Sequence, residues 1–146
     1  MTALSPPGLL RLPDGLVVRG RGLGQPRPTG PAPAFGLYLG STRLRRRYDG
    51  DLGWQRDWVR WPDFLLPRDW STALHQRARD GESVEVACYG GTGRTGTVLA
   101  CLATSGGLSP ADAVSFVRAI YRERALETAW PVAWVSWFAK RQRGFG

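Results

Sequence analysis

Lysine, histidine and cysteine are all scarce in this chain of 146 residues, which has one lysine (Lys140), one histidine (His75) and two cysteines (Cys88 and Cys101). Two thiols are too few for a disulfide framework, and their strand-loop and helix surroundings point to a reducing compartment. His75 falls on a helix-like stretch with no partner motif, so packing or solvent exposure is its expected role. Long apolar runs are missing too. The first fifteen residues carry prolines and Asp14 but no continuous apolar stretch of the kind a secretory signal needs, and no later segment could span a bilayer. A soluble, cytoplasmic protein is expected. The shortage of lysine is not a shortage of positive charge: the formal net charge is +8 with a pI near 10.7, nearly all of it arginine. Such a balance favours anionic partners without choosing among nucleic acid, acidic lipid and phosphorylated protein. The length suffices for one hydrophobic core and not for two ordinary domains, so residues 1–146 read as a single domain.

Along the chain, strand signals come first and helix signals last. Leu9 to Leu12 and Leu16 to Arg19 flank the turn-prone Pro13, Asp14 and Gly15 and read as a hairpin. Residues 22–33, rich in glycine and proline, read as a loop, and Phe35 to Leu39 as a strand ending at Gly40. Arg43, Arg45, Arg46 and Arg47 read as a solvated basic loop, with substrate steering as its second role, and residues 48–53 as a turn. Arg56 to Trp61 reads as a strand that Pro62 ends, which leaves Asp63 on a loop. Asp69 can cap a helix from Trp70 to about Arg79, closed by Asp80 and Gly81. Val84 to Cys88 is a short buried strand. Helices are expected from Arg94 to about Ser105, from Pro110 to about Arg122 with Ser109 as cap, and from about Thr128 to Arg143. In the last of these, Trp130, Trp134 and Trp137 recur at helical core spacing. Cys101 reads as a small buried apolar residue.

The most informative stretch runs from Cys88 through Tyr89, Gly90, Gly91, Thr92 and Gly93 to Arg94 and Thr95. A thiol and a guanidinium stand six positions apart across a glycine-rich loop, after a strand and before a helix. Such a loop can turn successive N–H groups inward and form a concave anion site at the positive end of the helix dipole. A helix N-terminus and a nearby arginine are also the features that favour the nucleophilic thiolate. A phosphate held against the loop amides and the planar fork of Arg94 would leave phosphorus in line with the sulfur. The hydroxyl of Thr95 could hydrogen-bond that sulfur. Asp63, flanked by Trp61 and Phe64, is the candidate general acid for the leaving group.

Together, the loop from Cys88 to Thr95 and the segment Trp61, Pro62 and Asp63 resemble the signature loop and general-acid loop of the cysteine-dependent protein tyrosine phosphatase superfamily, in type and in order. Glu127 and Thr128 resemble, more weakly, the Gln-Thr segment that in some members positions the hydrolytic water. The likeness spans roughly residues 61–130. It implies an α/β fold with a central mixed sheet of four to five strands flanked by helices. It also implies a cysteinyl-phosphate intermediate on Cys88, acid-base work by Asp63, phosphate binding by residues 89–94, and no metal or other cofactor. Three departures stand out. Ala87 replaces the usual histidine, which implies slower catalysis or a higher pH optimum. Glu127 replaces glutamine, with Pro131 where a second glutamine often stands, and the bulky Tyr89 follows the nucleophile directly.

Rival readings of the same loop are weaker. Gly91, Gly93 and Gly96 also satisfy a dinucleotide fingerprint, but the fifty residues that follow read as helices, without the further β-α units such a fold needs. An NTPase loop would require lysine where Arg94 stands. The sequence therefore predicts a phosphomonoester hydrolase acting on phosphorylated protein, phosphotyrosine foremost. The alternatives are a catalytically weak phosphate-reading module and a phosphatase for phosphoinositides or RNA phosphates. The loop has no lysine to favour an inositide. Neither membrane association nor nucleic acid is the expected partnership.

Overall fold

The computed structural model describes residues 8–26, 31–60, 74, 76–126 and 129–144. Strands β1 (Leu9–Arg11) and β2 (Val17–Gly22) form the expected antiparallel hairpin, with Leu10 opposite Val18. Its turn is fixed by the side chain of Asp14, which accepts the N–H of Leu16, and by Gly15 at φ 91°, a conformation that favours glycine. Three parallel pairings complete the sheet. β5 (Val84–Cys88) lies between β2 and β3 (Phe35–Leu39), and β4 (Gln55–Val59) is on the far edge, giving the order β1-β2-β5-β3-β4. Every residue of β5 is buried, as expected for the central strand of a parallel stretch covered on both faces.

One face of the sheet carries the main core. Val84, Val86 and Cys88 point there, beneath α2 (Gly93–Ser105), whose residues 95–103 are all buried. Helices α3 (Pro110–Ile120) and α4 (Ala129–Gly144) flank α2. Ser109 caps α3 by accepting the N–H of Asp112, with Pro110 at the first helical position. In α4 the core contacts come from Val135, Phe138 and Ala139. Trp134 packs against them only in part and Trp137 is 38% exposed, so the tryptophan spacing marks the flank of the buried stripe. The backbone of residue 130 is helical; its packing lies outside what is described. Cys101 is fully buried, and burial pushes its thiol well above the usual range.

The opposite face holds a smaller cluster of Leu23, Tyr38, Leu52 and Ala87, with Leu44, Tyr48, Trp54 and Trp58 against it. The arginine-rich stretch here is a helix rather than the expected loop. In α1 (Thr42–Tyr48), Ser41 caps the N-terminus by accepting the N–H of Leu44, and the side chain of Leu44 covers Gly40. Arginine is a good helix former, and once a cap and one apolar anchor are supplied its charge need not keep the chain open. The turn after it is a single 3-10 turn, Asp49–Asp51. Residues 76–79 are helical and end at Asp80 and Gly81, as expected. Among the described residues, no helix is long and apolar enough to cross a membrane.

Candidate active site

The central strand ends at Cys88, and within five residues the chain has turned into α2. Four successive carbonyls of the intervening loop are occupied from outside it. Those of Cys88 and Tyr89 accept the N–H groups of Leu23 (2.8 Å) and Gly24 (3.0 Å). That of Gly90 accepts Nη1 of Arg122 at 2.8 Å, and that of Gly91 accepts the hydroxyl of Tyr121. In a trans peptide the C=O and the following N–H point in opposite directions. Carbonyls drawn toward the protein therefore turn the amides of residues 89–92 to the other side. The sulfur is on that same side: the Gly91 N–H donates to Sγ of Cys88 at 3.1 Å. A concave row of amides facing a thiol suits a tetrahedral oxyanion.

Glycine is demanded at Gly91. Its φ is 73°, and a methyl group there would lie 2.4 Å from the backbone nitrogen of Gly22. The neighbouring strand makes room in turn. A methyl on Gly22 would strike the backbone of Tyr89 and Gly90 at 2.8 Å, and one on Gly20 would strike the Tyr121 ring at 2.7 Å. Tyr121 can thus lie across β2 and reach the loop from thirty residues away. Burial pushes its hydroxyl up to about 12, with Arg122 opposing the shift and Cys88 adding to it, so it remains a donor through the neutral range. Arg122 also donates to Oγ1 of Thr92 and to Oε1 of Gln25, both at 2.9 Å.

In the first turn of α2, Arg94 is half-buried and Thr95 fully buried. The hydroxyl of Thr97 bonds back to the Gly93 carbonyl at 2.8 Å, but that of Thr95 has no hydrogen-bond partner among the described residues. A buried hydroxyl left unmatched costs on the order of 1–3 kcal/mol, and the hydrogen bond from Thr95 to the Cys88 sulfur that the sequence suggests is not formed. Tyr89 points outward, 54% exposed, its ring over Gly24 and 6.5 Å from the ring of Tyr48. Ala87 is fully buried on the opposite sheet face.

Beside it stands an acid that the sequence reading did not single out. Glu85 is fully buried, its Oε1 accepting Nε of Arg21 (2.6 Å) and Nε and Nη2 of Arg19 (3.2 and 2.9 Å), its Oε2 accepting the Tyr38 hydroxyl (2.7 Å). The Tyr38 oxygen in turn accepts Nε1 of Trp54, and burial together with the Glu85 charge pushes the phenol far up. Tyr121 and Arg122 were equally missed, because nothing local marks them. The alternation of arginine and glycine in β2 did carry a signal, since glycine inside a strand marks close approach of another backbone or ring.

The two remaining candidates, Asp63 and Glu127, lie outside the described residues. Before the latter, Leu126 is fully buried at φ 55°, a left-handed conformation that a leucine holds only under constraint, here with Arg118 donating to the carbonyls of Ala125 and Leu126. Among the described residues, no group of three His, Cys, Asp or Glu side chains could hold a metal ion.

No family model and no curated protein sequence matches the chain. Solved structures do. Kinase associated phosphatase (KAP), with serine substituted for its catalytic-site cysteine, is 14% identical with a TM-score of 0.70, covering 95% of this chain and 97% of its own. Tk-PTP in its active form is 22% identical with a TM-score of 0.66, covering 92% and 98%. PTPMT1 in complex with PI(5)P is 17% identical with a TM-score of 0.57, covering 73% and 76%. With its mixed five-stranded sheet and the helices packed on it, the chain shares the fold of these protein tyrosine and dual-specificity phosphatase structures.

Proposed function

We propose that the protein is a phosphomonoester hydrolase that uses Cys88 as nucleophile and acts on phosphorylated protein, phosphotyrosine foremost. The observation that carries this reading is the placement of Sγ of Cys88 on the amide side of its own loop, 3.1 Å from the Gly91 nitrogen. An oxyanion bound to those amides and to the fork of Arg94 would present its phosphorus to the sulfur. The thiolate forms the S–P bond as the P–O bond of the ester breaks, and Asp63 protonates the departing oxygen. Water then attacks phosphorus, the S–P bond breaks, and Asp63 recovers its proton, with Glu127 as the group that would orient the water. Thr95, whose hydroxyl makes no hydrogen bond to the Cys88 sulfur in this structure, would have to turn toward it to act as donor to the leaving thiolate.

Ala87 supports a second reading, a slow enzyme or a phosphate-reading module, because no imidazole backs the loop from this position. Steady-state hydrolysis of p-nitrophenyl phosphate separates the two. Turnover by wild type that disappears in Cys88→Ser and falls at least about a hundredfold in Asp63→Ala is the expected result. Wild type that is inert yet binds phosphotyrosine peptide would make it a module. A phosphoinositide vesicle and a 5′-phosphorylated RNA in the same assay test the remaining substrate classes.

A further inference from the structure

Next to the phosphate loop, on the sheet face away from α2, a cavity of about 340 Å³ is lined by Arg21, Leu23, Gln25, Tyr48, Asp51 and Leu52. Its most unusual wall is Arg21, only 8% exposed. The Nε of Arg21 is bonded to Glu85, but its two terminal nitrogens have no partner among the described residues. The charge count around it does not balance. Glu85 is one carboxylate facing two guanidinium groups, and its second oxygen is already taken by Tyr38. One positive charge is left over beside Leu23 and Leu52, with the terminal nitrogens of Arg21 facing the open cavity, where an anion can reach them.

The other polar walls bear on the same point. Arg122 occupies Oε1 of Gln25, which leaves the amide NH2 of that side chain to donate elsewhere. Tyr48 brings a phenol to the lining. Asp51 is exposed at the rim and is the one lining group that would oppose an anion. The cavity also borders the loop directly. The N–H of Leu23 donates to the carbonyl of Cys88, Gln25 shares Arg122 with the carbonyl of Gly90, and Tyr48 meets Tyr89, the residue after Cys88.

We propose that this cavity is a second anion subsite: the fork of Arg21 takes a planar or tetrahedral oxyanion, a carboxylate or a phosphate, carried by the same substrate whose phosphomonoester lies over Cys88. The proposal rests on the phosphatase reading and narrows it. The preferred substrates are phosphopeptides with a second acidic group beside the phosphorylated residue, because two charges anchored at neighbouring sites bind as one linked event.

The test is fluorescence anisotropy on the intact chain carrying Cys88→Ser, so that binding is read without turnover. Three labelled phosphotyrosine peptides differ at one adjacent position, which holds glutamine, glutamate or phosphoserine. The glutamate and phosphoserine peptides are expected to bind about tenfold tighter than the glutamine peptide, the gain of one charge-assisted hydrogen-bonded pair. Which of the two is tighter tells a carboxylate site from a phosphate site. Added Arg21→Gln should reduce that margin to less than about twofold, with circular dichroism reporting whether this variant folds. Added Asp51→Asn, a change at an exposed rim, should widen the margin. Equal affinities for the three peptides, or a margin that Asp51→Asn leaves alone, overturns the subsite. Hydrolysis of p-nitrophenyl phosphate by wild type is read in parallel. If it is present while the margin is absent, the subsite alone has fallen; if it is absent too, the phosphatase reading has fallen with it.

Discussion

The two faces of the central strand solve opposite problems. Val84, Val86 and Cys88 belong to the main hydrophobic core beneath α2, whereas Glu85 and Ala87, from the same five residues, face a cluster that includes arginine, tyrosine and tryptophan groups. The first face supplies stability, because α2 must sit firmly on the sheet if its N-terminus is to stay opposite the sulfur. The second buries a smaller apolar cluster and adds a polar network that sets geometry. It ties β2 to β5 through Arg19, Arg21 and Glu85, and β2 is the strand whose glycines admit the loop backbone and the Tyr121 ring. The loop after Cys88 thus rests on an apolar foundation on one side and is trimmed by a polar one on the other.

The contrast breaks most sharply at Glu85. Glu85→Ala leaves two guanidinium groups facing each other with no carboxylate and should destabilise the fold by about 3–5 kcal/mol, as much as Leu99→Ala in the apolar face at about 2–5 kcal/mol. The two losses differ in how they can be repaired. Replacing Arg19, Arg21 and Glu85 together by methionine or leucine should restore most of the stability in urea unfolding, whereas no neighbouring change refills the Leu99 cavity. A triple variant as unstable as Glu85→Ala would mean that the polar face is held by something other than charge balance.

What was legible in the sequence follows the same division. The run from Val84 to Thr95 declares a strand, a loop and a helix by local means, through a short apolar stretch, closely spaced glycines and a return of helical periodicity, and each lies where expected. The hairpin was legible from Pro13, Asp14 and Gly15 for the same reason. The polar face was not, since Glu85 looks like an interruption of a buried strand until Arg19 and Arg21 are placed beside it. The clamp from Tyr121 and Arg122 joins residues about thirty positions apart through contacts that only the packing of α3 creates. The arginine-rich α1 was misread because charge density was weighed above the Ser41 cap.

A smaller effect sharpens the comparison at the loop itself. Tyr121→Phe removes one donor from the Gly91 carbonyl and should cost about 1 kcal/mol of stability. Its effect on oxyanion binding should be larger in proportion, since it frees a carbonyl to turn toward the anion. The inhibition constant of tungstate against p-nitrophenyl phosphate hydrolysis is the readout, expected to rise several-fold while the melting temperature moves by a few degrees. The pH dependence has a definite sign. A phenol raised from 10.0 to about 12 in the folded state stabilises fully below pH 10 and loses its contribution as the pH climbs toward 12. The alkaline limb of the stability curve should therefore flatten in Tyr121→Phe.

The weakest effect belongs to the solvent edge of the polar face. Asp49 accepts Nε of Arg56 at 2.6 Å and Nε1 of Trp58 at 2.8 Å, and the Arg56 hydrogen bond is the main cause of a carboxyl lowered from 3.8 to about 2. A carboxyl depressed in the folded state stabilises above its unfolded value and loses that contribution as the pH falls, here between about 4 and 2. The pair is open to water, so screening keeps the contribution small, unlike the buried partnership of Glu85. Asp49→Asn should leave stability near pH 7 almost unchanged and remove part of the acid-induced decline, with added salt shrinking the difference further. An Asp49→Asn variant whose acid unfolding curve is as steep as that of wild type would show that the outer edge of this face carries no electrostatic role, and that the polar network acts through its buried members alone.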